Sequence, residues 1–251
     1  HNNKYTYLLA YFGGAVQRYG FARGRWGFLL NRPDKTFAIA ATPVRHQFRV
    51  LSKAGVQDFD DELELWPKRE SIEKAERALL SLGLKADTKV IGFVMGSSAK
   101  WGTKRWPAEN FRKLAQKLLE KYNSRIVLFG SRGEEEFGDY FRDFDPDRVL
   151  NLIGRTDLED LPAFFQKLHL VISGDTALLH VAAAMNVPIA AIFGPTDPKR
   201  HLPPAKKIAV FMRNLPCQPC YKGVCKEKDV MACLKRISVE EVFETCQRFL
   251  E

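Results

Sequence analysis

The sequence predicts an α/β fold built on a parallel sheet. From residue 88 to 250, apolar strand-length runs alternate with amphipathic helix-length segments. The runs are apolar at successive positions, as strands are when helices cover both faces of their sheet. The 251 residues, 45% hydrophobic and 27% charged, have an ordinary globular composition, which excludes a disordered or collagen-like chain. That length fits one large domain or two small ones.

Taken in order, residues 5–12 read as a helix, 37–41 as a strand, 58–64 as an acidic surface connection and 71–82 as an amphipathic helix. A domain boundary is expected within 66–87, dividing the chain into 1–80 and 81–251. The regular half opens with the run Val90-Ile91-Gly92-Phe93-Val94. Residues 110–122 then place Phe111, Leu114, Leu118 and Leu119 on one helical face, with Pro107 where a helix favours its start. Strands follow at 126–130 and 149–153, separated by an acidic helix opening at 134–136. A helix at 157–168, a strand at 170–173, a helix at 176–185 and a strand at 189–194 complete the pattern.

Lys plus Arg total 39 against 30 Asp plus Glu, a net charge of +9. Such a balance fits an anionic partner: nucleic acid, a phosphorylated small molecule or an acidic membrane surface. No run of about 18 apolar residues is present to span a bilayer. The longest apolar stretch, 181–193, is broken by Asn186 and Pro188. The chain opens His1-Asn2-Asn3-Lys4, without a signal peptide or an initiator Met, and is expected to have been trimmed or to begin inside a longer protein.

In open parallel sheets, ligands bind beyond the carboxyl ends of the strands. Three loops there carry suitable chemistry. Residues 96–107 offer small residues and the hydroxyls of Ser97, Ser98 and Thr103 for phosphate oxygens. Lys104 adds a point charge suited to a diphosphate, although no Walker A pattern is present. A solvated basic loop anchored by Trp101 and Trp106 is the competing reading. Residues 174–184 place Asp175 or Thr176 at a helix N-cap followed by small residues, a ready anion site. Asp and Thr are equally ordinary capping residues, and His180 reads first as a core histidine. Gly194-Pro195-Thr196-Asp197-Pro198 is turn chemistry able to start a short helix on the same edge.

Four of the five cysteines crowd into Cys217-x2-Cys220-x4-Cys225-x7-Cys233. Four thiols so placed could form a tetrahedral zinc site. The spacing is not the usual pair of knuckles, and free thiols or disulfides are favoured over a structural zinc. Cys246, on the terminal helix, reads as core. A basic nucleic-acid-binding module is the rival of another class. The lysines are spread over helix faces, no recognisable RNA- or DNA-binding motif occurs, and no nucleic-acid partner is expected.

The run 90–107 with its K-R-W-P, the segment G-D-T-A-L-L-H-V-A-A-A and F-G-P-T-D-P together resemble the bacterial heptosyltransferases of glycosyltransferase family 9. The tail from Cys217 through Cys233 to I-S-V-E-E-V looks most like the heptosyltransferase II branch. The resemblance is strong from about residue 88 onward and weaker before it, at Arg18-Tyr19-Gly20-Phe21 and Arg45-His46.

The resemblance implies a GT-B enzyme of two Rossmann-like domains, the N-terminal one incomplete in this chain. Its C-terminal domain would hold ADP-L-glycero-D-manno-heptose. The N-terminal domain would face the inner core of lipopolysaccharide, on its lipid A anchor. Transfer would invert the anomeric centre without a metal, on the cytoplasmic side, peripheral to the inner membrane. By position, Lys104 matches the lysine at the donor's diphosphate, and Asp175 the aspartate near the diphosphate and heptose; both are the catalytic candidates. Thr176 and Ala177 match the helix start that supplies N–H groups, and His180 a supporting histidine. Ser97, Ser98 and Thr103 fall in the phosphate-binding loop, while Glu134 and Thr156 lie where the family binds the nucleoside. The family's general base, an aspartate after glycine in the first strand-to-helix loop, has no match here, so no base is named. A family 9 transferase for another sugar, and an inactive scaffold of the same fold, stand as alternatives.

Overall fold

The computed structural model describes residues 4–22, 24–35 and 43–251; the strand expected at 37–41 lies outside them. The chain divides into two compact units, residues 1–61 with 199–201, and residues 62–198 with 202–251.

In the smaller unit, α1 (Lys4–Phe12) precedes a short parallel pair, β1 (Tyr19–Phe21) and β2 (Arg32–Asp34), and α2 (Pro43–Lys53). Its apolar centre is small: Tyr7, Leu29 and Leu30, with Leu8 and Trp26 packed beside them. The Tyr7 hydroxyl donates to the Phe21 carbonyl at 2.9 Å, satisfying the polar tip of a buried ring.

The larger unit begins with α3 (Arg69–Leu80), β3 (Lys89–Val94), α4 (Ala108–Lys121), β4 (Ser124–Phe129) and β5 (Val149–Asn151). It continues with α5 (Leu161–Phe165), β6 (Leu170–Gly174), α6 (Ala177–Ala184) and β7 (Ile189–Ile192). Last come α7 (Pro198–His201), β8 (Ile208–Phe211), α8 (Ala232–Lys235) and α9 (Val239–Leu250). The six strands form one parallel sheet in the order β5-β4-β3-β6-β7-β8.

Period-two alternation sends strand residues into two separate cores. Ile91, Phe93, Ile126, Leu128, Leu170 and Ile172 pack with Phe111, Leu114 and Leu118 of α4 and Val242 and Cys246 of α9. Val90, Val94, Val127, Phe129 and Val171 pack on the other face with Ala75 and Leu79 of α3, Phe164 and Phe165 of α5, and Leu179 and Ala182 of α6. Because α3 buries its apolar stripe here, it belongs to the larger unit, which starts about twenty residues before the boundary expected at 80/81.

Two helices are shorter than their sequence patterns suggest. The acidic segment is a 3-10 turn, Glu135–Phe141; a Cβ on Gly138 would stand 2.2 Å from Asn151 Nδ2, so the backbone there lies tight against β5. The helix expected over 157–168 is regular only at Leu161–Phe165, with turns closing either side. Pro162 suits its first turn, where no N–H is needed. At the far end, α9 starts with Ser238 accepting from the Glu241 N–H at 3.2 Å, as S-x-x-E predicts.

Candidate functional site

The order of the strands fixes where a site can form. The chain runs outward from β3 through β4 to β5, then returns to lay β6 on the other side of β3. The loops after β3 and β6 therefore part at a topological switch point, leaving a crevice at the carboxyl edge of the sheet. A cavity of about 500 Å³ opens there, lined by Ser97, Ser98, Trp101, Lys104, Ser131, Glu134, Asp175, Thr176, Ala177, Leu178 and His180, among others.

At its centre Lys104 Nζ lies 2.7 Å from Asp175 Oδ2 and 4.7 Å from the centre of the Trp101 ring. Both side chains are largely shielded, with 15% of Lys104 and 8% of Asp175 exposed. The pair is built from the two sides of the switch point: Lys104 ends the 3-10 segment Ala99–Lys104, and Asp175 directly follows β6. Gly174 allows the approach, since a Cβ there would stand 3.0 Å from the Lys104 carbonyl oxygen.

Beside Asp175, Thr176 is the extended N-cap of α6, and its side chain makes no capping hydrogen bond. The positive end of that helix faces the cavity with Ala177 and Leu178 on its lining. Together the ammonium, the hydroxyls of Ser98 and Thr176 and the helix end form a surface suited to a diphosphate.

The other flank follows β4. Glu134 is buried, with 7% exposed, and its Oε2 accepts from the Ser131 N–H at 2.8 Å and from the Ser131 hydroxyl at 2.7 Å. Arg105 Nη2 stands 3.5 Å from Glu134 Oε1 and donates to the Ser97 carbonyl at 2.7 Å, while its Nε donates to the Ser97 hydroxyl at 3.2 Å. The Ser97 hydroxyl itself donates to the Trp101 carbonyl at 2.7 Å, so it shapes the loop from within.

Of the residues expected from sequence, Ser97, Ser98, Lys104, Glu134, Asp175, Thr176, Ala177 and His180 converge on this cavity. Thr103 does not: it is buried and donates to the Lys222 carbonyl at 2.7 Å, lining a neighbouring cavity instead. Thr156 is half-buried and stands outside the lining. His180, first read as a core residue, is half-buried on the cavity wall. Sequence reasoning missed Arg105 and Ser131, and took Trp101 only as a packing anchor. A signal for Ser131 existed, since it follows β4 directly after Gly130.

The segment around Lys104 is fastened from far along the chain. Besides Thr103 to Lys222, the Trp106 indole donates to the Ile237 carbonyl at 3.1 Å. The cysteine-rich stretch lies against it, and Cys217, Cys220, Cys225 and Cys233 line one cavity of about 490 Å³. No three His, Cys, Asp or Glu side chains among the described residues stand so as to share a metal ion. The four thiols as placed do not fit a zinc site.

The family model for glycosyltransferase family 9 (heptosyltransferase) matches residues 5–231. Lipooligosaccharide heptosyltransferase 2 of Haemophilus influenzae is 34% identical over 149 residues, which cover 57% of this chain and 41% of that protein. The glycosyl transferase family 9 structure from Veillonella parvula superposes with a TM-score of 0.82 at 23% identity, covering 100% of this chain and 72% of that one. The structure of E. coli ADP-heptose lps heptosyltransferase II gives a TM-score of 0.74 at 22% identity, covering 100% and 74% respectively. This chain thus spans about two fifths of the first relative, and its fold is the one found in these solved structures. Carried by a match over residues 5–231, the chain belongs to glycosyltransferase family 9.

Proposed function

We propose that this chain carries the donor-binding part of an inverting heptosyltransferase that moves heptose from ADP-heptose to the inner core of lipopolysaccharide. The observation that carries this reading is the Lys104–Asp175 pair beside the start of α6, at the switch point of the sheet. As the glycosidic bond breaks, the sugar carbon becomes oxocarbenium-like and the nucleoside diphosphate leaves with growing negative charge. Fixed donors aimed at that charge stabilise it. Lys104, the Thr176 hydroxyl and the helix end supply such donors here without calling on a metal. Asp175, held by Lys104, sits where it can orient the ammonium and meet the positive charge growing on the sugar. The acceptor hydroxyl must lose its proton to a base on the opposite face, and we assign none of this chain's residues to that role.

A cytoplasmic location, peripheral to the inner membrane, belongs to the same proposal. It is supported by the +9 charge, which suits anionic headgroups. Among the described residues no helix is long and apolar enough to cross a membrane.

Calorimetric titration with ADP, UDP and ADP-heptose tests the donor site. The chain is expected to bind ADP and ADP-heptose, and Lys104→Ala and Asp175→Ala to weaken both at least tenfold, since each leaves a shielded charge without its partner. Absence of binding to any nucleoside diphosphate would overturn the reading; preference for UDP would redirect it to another sugar donor.

A further inference from the structure

Arg105 is adjacent to the diphosphate lysine yet faces the other flank. Its guanidinium is held by two donations into Ser97, to the carbonyl at 2.7 Å and the hydroxyl at 3.2 Å, and lies 5.1 Å from the centre of the Phe137 ring. Thus fixed, it presents Nη2 to Glu134 Oε1 at 3.5 Å. The other carboxylate oxygen is already held by Ser131. Around this carboxylate the chain carries no side-chain walls: a Cβ on Gly96 would stand 2.0 Å from Glu134 Oε1, and one on Gly130 would stand 3.3 Å from Oε2. Space cleared by two glycines, at the ends of neighbouring strands, admits the carboxylate but does not orient it. Orientation comes from Ser131 on one side and Arg105 on the other.

The loops after β4 and β6 lie two strands apart, roughly 10 Å across the sheet edge. A ligand whose phosphates sit at Lys104 and α6 therefore reaches Glu134 with the group attached to those phosphates. A carboxylate accepts only, and the matching donors on a nucleoside diphosphate are the vicinal hydroxyls of its ribose. We infer that Arg105 is a positioning residue for donor recognition: it holds Glu134 so that the carboxylate accepts the ribose hydroxyls of the bound nucleoside diphosphate. The inference rests on the donor reading above. A lysine at 105 would supply the charge but not the planar fork that grips Ser97 and faces Glu134 together.

Calorimetry with ADP, 2′,3′-dideoxy-ADP and inorganic pyrophosphate separates this role from a general structural one. The wild-type chain is expected to bind ADP about tenfold more tightly than the dideoxy compound, the size of one charge-assisted hydrogen bond. Arg105→Ala should lose that difference, binding both compounds as wild type binds dideoxy-ADP, and Arg105→Lys should recover part of it. Pyrophosphate binding should survive Arg105→Ala and fall in Lys104→Ala. Equal weakening of ADP and dideoxy-ADP by Arg105→Ala, or no weakening of ADP, would overturn the inference while leaving the donor site standing. A wild-type chain that binds no ADP would remove the donor reading and this role with it. Should Arg105→Ala not fold, Arg105→Lys and Glu134→Gln carry the same comparison.

Discussion

Burial separates the five cysteines by reactivity. Cys246 is fully enclosed between α9 and the sheet, and burial pushes its thiol up to about 12. Cys233 is also raised, by burial first and then by the neighbouring thiols of Cys217, Cys225 and Cys220. The thiolate is the reactive form. With a disulfide reagent at pH 8, Cys217, Cys220 and Cys225 should react promptly, Cys233 more slowly, and Cys246 only on unfolding. Mass spectrometry of partly labelled protein reads the order, and early label on Cys246 would contradict it. The same scale shows what sequence could say about the site. Lys104 and Asp175 were legible because each follows a strand whose apolar run is unmistakable, and strand ends are where ligands sit. Arg105 was not, because nothing in the doublet Lys104-Arg105 says which side chain turns to the phosphates and which to Glu134. That choice is made by Ser97 and Phe137 once the loop has folded.

Between elements, α3 and α5 are tied by a polar junction as well as by Ala75, Leu79, Phe164 and Phe165. Asp160, just before α5, accepts from the Ser71 hydroxyl at 2.8 Å and from Lys74, both on α3. The Lys74 hydrogen bond, and Ser71 after it, hold the Asp160 carboxyl below the usual carboxylate range against the opposing effect of burial. The folded state therefore binds its proton less readily than the unfolded chain. The stability from this junction is complete above the ordinary value near 4 and is lost as pH falls through the lowered folded value. Asp160→Ala should destabilise at neutral pH by about 1–3 kcal/mol, the cost of leaving the buried Ser71 hydroxyl without its acceptor. Asp160→Asn should flatten the acid limb of the denaturation profile; an unchanged limb would place the acid sensitivity elsewhere. Long amphipathic elements such as α4 and α9 were legible from their 3.6-residue period. The elements that escaped are those set by contact: β8 is a half-exposed edge strand of four residues, and the segment at 135–141 is tightened by its fit against Asn151.

At the level of the whole molecule, every residue lining the donor cavity lies between 94 and 180, inside the larger unit with both of its core layers. A fragment of residues 62–251 should therefore melt cooperatively and bind ADP with the affinity of the full chain; weaker binding would mean that residues 1–61 contribute to the site. Regular β/α alternation announced this unit from sequence because its strands are apolar on both faces. The smaller unit gave no such signal, since its centre is a handful of side chains around Tyr7 and its strands are three residues long.

The fastening of the Lys104 segment has a consequence for how the protein comes into being. Thr103 and Trp106 are secured by carbonyl groups 119 and 131 residues later in the chain. On a ribosome, the sheet strands that frame the cavity emerge well before the residues that fasten its lysine in place. A nascent chain released before Ile237 would carry the central strands and much of both cores, yet lack a backbone clamp on the donor loop. Competence for donor binding is thus conferred near the end of synthesis, and an intact C-terminus is what distinguishes a finished molecule from a merely folded one.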